Sequence, residues 1–148
     1  MSKTSAIRYA DTAFVRDHCL CLHAQRAARS LARRFDEVLR PLDLTNGQFS
    51  LLMALNRPQP PQMGAVAALL AMDRTTLTAA LKPLERRKLV AVRVDADDRR
   101  SRLIGLTSAG RRLLARALPI WRRTHAQIER RLTAGESQAA RRYLRLLS

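Results

Sequence analysis

Cysteine is scarce: the chain contains two, Cys19 and Cys21. On one helix a spacing of two turns their side chains about 200° apart, which excludes a disulfide between them. Long apolar runs are absent as well. The longest, Ala65 to Met72, has eight residues, against the roughly 20 needed to cross a bilayer, so no membrane span is expected. The first fifteen residues carry Lys3, Arg8 and Asp11 with no sustained apolar stretch behind them, which predicts no secretory signal and a cytoplasmic protein. Aromatic residues make up 4% of the chain and glycine is held to five, while Ala and Leu dominate. That bias predicts a largely α-helical fold. Acidic residues number only 12 against 28 basic ones, a net charge of +16, and such a balance suits neither an acidic-tail nor a membrane-transport protein.

What is present is apolar material and arginine. At 47% hydrophobic, disorder is excluded for most of the length. The 148 residues correspond to one domain or one intertwined unit of about 150 residues, large enough to bury roughly two-thirds of its unfolded surface. The charge is uneven: residues 1–85 hold 11 basic and 7 acidic residues, residues 86–148 hold 17 and 5. The C-terminal half is therefore the one fitted to meet a polyanion. All but three of the basic residues are arginine, whose flat five-donor fork matches phosphate and guanine edges. Codon bias on solvated helix faces is the less favoured alternative account of that excess.

Residues 1–10 carry no pattern and are expected to form a loose arm. From Asp11 to Arg40 apolar residues recur at three-and-four spacing through Leu20, Ala24, Ala27, Leu31, Phe35, Val38 and Leu39, predicting one long helix. Pro41 ends it. Thr45 and Gln48 then form a capping box that starts a helix running to about Asn56, and the prolines of Arg57–Gln62 predict a surface loop. Met63 to Ala71 reads as a short helix, and Asp73 as the N-cap of the next. Two short helices around a turn of about three residues describe a helix-turn-helix. Two β-like runs follow, Leu89–Val94 and Leu103–Leu106, around the polar stretch Asp95–Arg100. They predict a hairpin, or wing. Helix returns beyond Thr107, with a bend or break expected at Pro119, and a capping box of Thr133 and Glu136 starts a last helix with Tyr143, Leu144 and Leu147 on one side.

From about Asp11 to Leu147 the chain resembles the MarR family of winged-helix transcriptional regulators. The most specific stretch is DADDRRSRLIGLTSAG, Asp95 to Gly110, in which Asp98, Arg100, Leu106, Thr107 and Gly110 match the family's wing signature. DRTTLT at Asp73–Thr78 and LERRKLV at Leu84–Val90 are similar to its recognition helix and the exit into the wing. Lys88 stands where the family often has a C-cap glycine, and Ala71 is a second departure, in the turn. The resemblance implies a mainly α fold with a small β wing. It divides the chain into a helical dimerisation region, residues 1–44 and 108–148, and a DNA-binding domain, residues 45–107.

With Leu77 at 0° on a helical wheel, Leu81 and Leu84 fall beside it, while Thr75, Ala79, Lys82 and Arg86 lie within about 40° of the opposite face. The first set is expected in the core. The second, with Arg74 and Thr76 near its start and Thr78 on its flank, is expected to enter the major groove, where threonine methyls meet thymine methyls and Lys82 meets guanine acceptors. Pro83 leaves the carbonyl of Ala79 unpaired, which predicts a kink. Arg99, Arg100 and Arg102 lie on the wing, where the family places an arginine in the minor groove or on phosphate. An ion pair of Asp98 with Arg100 is a structural alternative.

No catalytic constellation is present: Ser101 and Ser108 lack a histidine nearby in sequence, there is no glycine-rich phosphate loop, and an enzyme is not expected. His18, Cys19, Cys21 and His23 include i,i+3 and i,i+4 pairs able to share a soft metal, but two-ligand pairs on a helix are more often packing or surface accidents, so neither a metal nor a cofactor is assigned. Cys21 and Arg29 resemble the reactive cysteine and following arginine of the family's organic-hydroperoxide sensors. Phe35 and Asn46 stand where that subgroup has supporting tyrosines, so a small buried hydrophobe is the favoured role for Cys21.

The expected function is a homodimeric repressor that binds double-stranded DNA at a palindromic operator and is released by a small ligand. If the family plan holds, the effector pocket is lined by Phe14, Cys21, Phe49, Trp121 and His125, and basic surroundings favour an aromatic acid or another anion. The rivals are a non-specific architectural DNA- or RNA-binding protein and a thiol-based sensor acting through Cys21.

Overall fold

The computed structural model describes residues 6–148. They divide into two compact units, one up to Arg34 and one from Phe35 to Ser148. Part of the stretch expected to be a loose arm lies outside the described residues; of the rest, Tyr9 and Ala10 already belong to helix α1 (Tyr9–His18). Arg8 explains that start. Its backbone N–H donates to the Asp11 carboxylate at 3.1 Å, and its guanidinium bonds the same group.

The single helix expected over Asp11–Arg40 is two, α1 and α2 (Leu20–Leu39). The break is at Cys19, whose backbone is extended (φ −71°, ψ 107°). Its Sγ accepts the N–H of Leu22 at 3.4 Å and so caps α2 as a serine hydroxyl would. Cys19 therefore sits in the break while Cys21 lies inside α2, and the helical geometry used above to separate the two thiols does not apply. Cys21 is exposed rather than buried, with its Sγ accepting from Gln25 Nε2 at 3.3 Å.

In the second unit α2 ends in a 3-10 turn, Arg40–Leu42, closed by Asp43 at φ 51°. Helix α3 (Asn46–Leu55) starts on the expected box: the Gln48 N–H donates to Thr45 Oγ1 and the Thr45 N–H to Gln48 Oε1. The proline loop is less of a surface loop than its composition predicts. Pro61 is buried, its carbonyl accepts the N–H of Ile104 at 3.0 Å, and Gln62 bridges to Leu103. Proline suits such an edge because it has no donor to leave unpaired.

Helix α4 (Met63–Leu69) stops short of the expected Ala71 because that residue is left-handed, φ 51°. Helix α5 (Arg74–Arg86) follows, then the antiparallel strands β1 (Val90–Val94) and β2 (Arg102–Leu106), with Val90 opposite Leu106 and Val94 opposite Arg102. Helix α6 (Ser108–Glu129) runs unbroken through Pro119, as α5 does through Pro83. Helix α7 (Ala134–Leu147) starts on the Thr133–Glu136 box. Leu39, Leu52, Leu55, Val66, Leu77, Leu81, Leu84 and Ile104 are each less than 2% exposed, and burying such a side chain contributes about 1.5–3 kcal/mol. This core fixes α5 and the hairpin on one support.

Candidate nucleic-acid interface

Helices α4 and α5 meet at 103°, within the range of helix-turn-helix pairs. The turn depends on Ala71 at φ 51° and on Asp73, which caps α5: its Oδ1 accepts the Thr76 N–H and its Oδ2 the Thr76 hydroxyl, both at 2.7 Å. Those bonds, the amide one foremost, hold the Asp73 carboxyl below its ordinary pKa. Leu77, Leu81 and Leu84 are buried as expected. Thr75, Ala79, Lys82 and Arg86, opposite them, are exposed, as are Arg74, Thr76 and Thr78.

Two of the threonine hydroxyls are committed locally, Thr76 to the cap and Thr78 to the carbonyl of Arg74 at 2.7 Å. The methyl is what Thr78 has left for a base. Arg74 lies against α4: a Cβ added at Gly64 would stand 3.2 Å from its Nη2. Among the described residues, no carboxylate pairs with Lys82 or Arg86.

The exit from α5 is built by the residues of the wing signature. Lys88 adopts φ 55°, the left-handed conformation of a C-cap glycine. The Thr107 hydroxyl donates toward the carbonyls of Lys88 (2.7 Å) and Leu89 (3.1 Å) and accepts the Gly110 N–H at 3.0 Å. Gly110 is required by close approach, since a Cβ there would stand 2.1 Å from the Leu89 oxygen. These contacts tie the end of the recognition helix to the start of α6.

The wing is shaped by two aspartates. Asp95, 9% exposed, accepts from the Asp97 N–H at 3.0 Å and from Gln62 Nε2 at 3.1 Å. Asp98 accepts the Ser101 hydroxyl at 2.8 Å and the backbone N–H of Arg100 at 3.0 Å, which lower its pKa. The structural role of Asp98 thus runs through the main chain of Arg100 rather than through its guanidinium. Arg102 folds back, its Nη1 donating to the carbonyls of Arg99 and Ser101 at 3.2 and 3.3 Å. The guanidinium groups of Arg99 and Arg100 have no carboxylate partner among the described residues.

No local pattern pointed to Arg87, because its partners lie more than forty residues away. Its Nη1 donates to the Asp43 carbonyl at 2.6 Å and its Nη2 to that of Leu42 at 3.5 Å, joining the exit of α5 to the turn after α2.

A hollow of about 410 Å³ opens beside this unit. Phe49 and Trp121 line it, and His125 stacks on Trp121 with ring centroids 4.6 Å apart. Trp121 also stacks near Phe35 and Phe49, at 6.3 and 6.2 Å. The lining is otherwise aliphatic, with Ser50 its only polar member, so the basic surroundings expected of an effector pocket are not found in this wall. Phe14 and Cys21 belong to the other unit, where Phe14 is exposed and stacks on His18 at 4.2 Å.

An exposed cationic helix face, set by a sharp turn and followed by an arginine-tipped hairpin, defines a winged helix-turn-helix DNA-binding protein. The sequence profile of the MarR family matches residues 42–101. The transcriptional regulator HosA of Escherichia coli O157:H7 is 33% identical over 97 residues, 65% of this chain and 71% of that protein. The transcriptional regulator MosR of M. tuberculosis in complex with DNA superposes with a TM-score of 0.79 at 38% identity, covering 88% of this chain and 93% of that one. BpsR of Bordetella bronchiseptica, whose DNA binding is regulated by 6-hydroxynicotinic acid, superposes with a TM-score of 0.78 at 28% identity, covering the same shares. The chain belongs to the MarR family of transcriptional regulators.

Proposed function

We propose that the protein is a cytoplasmic homodimeric repressor that reads a palindromic operator with paired α5 helices and leaves it when a small aromatic ligand binds. The observation that carries this is the exposed face of α5, Thr75, Ala79, Lys82 and Arg86, on a helix whose other face is locked into the core. A bundle of arginines alone would need no such presentation. Residues 45–107 are assigned to DNA and residues 1–44 and 108–148 to pairing. The dimer assignment is supported by the exposed Tyr143, Leu144, Leu146 and Leu147 of α7 and by Tyr9, Phe14 and Val15 of α1. Two α5 helices so paired would read half-sites about one helical turn apart. The regulation of BpsR by an aromatic acid and the hollow beside Trp121 support the ligand.

The test is selection of bound duplexes from a random library, followed by competition. Recovery of a palindrome whose binding survives excess random DNA is the expected result; binding that random DNA displaces in proportion to its concentration would favour the architectural reading.

A further inference from the structure

A second group of arginines lies apart from α5 and the wing tip. The loop after α3, the β1–β2 hairpin and the first turn of α6 enclose a hollow of about 250 Å³. Arg57, Arg93 and Arg111 all line it, and no Asp or Glu does. Its walls are stiffened by Pro58 and Pro60, and Gly105 leaves space in the lining that a side chain would occupy.

The three cations are differently held. Arg57 Nε donates to the Ala54 carbonyl at 3.1 Å, which anchors that guanidinium while leaving its Nη donors free for the hollow. The guanidinium groups of Arg93 and Arg111 make no hydrogen bond or ion pair with any described residue. Arg111 also stands in the first turn of a 22-residue helix with no acidic residue in that turn, so the positive end of the helix dipole adds to the three charges. Like charges facing one hollow repel, and nothing in its lining offsets them. The group that does so best is an oxyanion, because a guanidinium fork donates to two of its oxygens at once. The volume is below the roughly 300–1,000 Å³ of pockets for drug-sized ligands, which fits a small charged group and not a whole aromatic effector.

We propose that this hollow is a binding site for a phosphate-type oxyanion, carried either by a free phosphorylated compound or by the DNA backbone. The site is distinct from the base-reading face of α5 and does not depend on which operator that face reads. The experiment titrates the full chain, without DNA, with inorganic phosphate against chloride at matched ionic strength, by calorimetry. Saturable binding of one phosphate per chain is expected. Arg93→Gln and Arg111→Gln should each weaken it about tenfold or more, the effect of losing a charge-assisted hydrogen bond, whereas Arg123→Gln, at an exposed position of α6 outside the hollow, should not. Thermal melts of the variants show that each is folded. Repeating the titration on the complex with a random-sequence duplex separates the sources: phosphate excluded by DNA means the backbone occupies the site, and phosphate bound undiminished means a free anion does. A titration indistinguishable from chloride, or one unchanged in both Arg93→Gln and Arg111→Gln, overturns the proposal.

Discussion

Lys82 and Arg100 are both exposed and have no carboxylate partner among the described residues, yet they should fail differently. Lys82 stands on the face of α5 opposite the buried Leu77, so Lys82→Ala should cost about 1–3 kcal/mol on the selected operator and relax preference at one base position. Arg100 is on the wing, and Arg100→Ala should weaken every sequence, most of all those with a narrow minor groove, and lower the salt slope by about one contact. Affinities on operator and random DNA across a salt series check both, and equal salt-only losses would mean that α5 does not read bases. Gly110 acts through the fold instead. With a Cβ 2.1 Å from the Leu89 oxygen, Gly110→Ala should destabilise by at least about 1–3 kcal/mol, measured by denaturant unfolding. Lys88 is the reverse case: at φ 55°, Lys88→Gly should stabilise by up to about 1 kcal/mol by removing left-handed strain.

At the scale of elements, α5 is a short helix whose start depends on Asp73. The folded carboxyl titrates below its ordinary value of 3.8, so its contribution to stability is fully present above that value and is lost as pH falls through the lowered one. Asp73→Asn keeps a capping acceptor that does not titrate. Melting temperatures from neutral pH to about pH 3 should therefore show a smaller acid loss for Asp73→Asn than for the parent. Identical profiles would show that the cap is not ionic in effect. The caps were legible in the sequence because an N-cap and its partner are three residues apart, as Thr45 and Gln48, Asp73 and Thr76, and Thr133 and Glu136 show. The break between α1 and α2 was not. The apolar spacing runs straight through Cys19, and only a sulfur accepting the Leu22 N–H marks the stop.

At the scale of the whole molecule, α7 carries Tyr143, Leu144, Leu146 and Leu147 at 55–75% exposure, more apolar surface than one chain covers. Removing residues 133–148 should therefore give monomers or aggregate, read by size-exclusion chromatography with light scattering. A truncated protein that remains a folded, operator-binding dimer would remove α7 from the interface.

The sequence by itself determined the order of elements after Pro41, the buried stripe of α5 and the exposed face opposite it, because helix periodicity and capping are written within a few residues. It also carried the wing signature, and the structure supplies its reason in the contacts of Thr107 and Gly110 with Lys88 and Leu89. Tertiary structure alone decided that Pro61 and Gln62 are stitched to β2, that Arg87 grips the turn after α2, that Trp121 stacks near Phe35 and Phe49, and that Arg57, Arg93 and Arg111 share one hollow. Each of these joins residues 18 to 86 positions apart. No local rule of spacing encodes such meetings, because they exist only once the hydrophobic core has set the elements against one another.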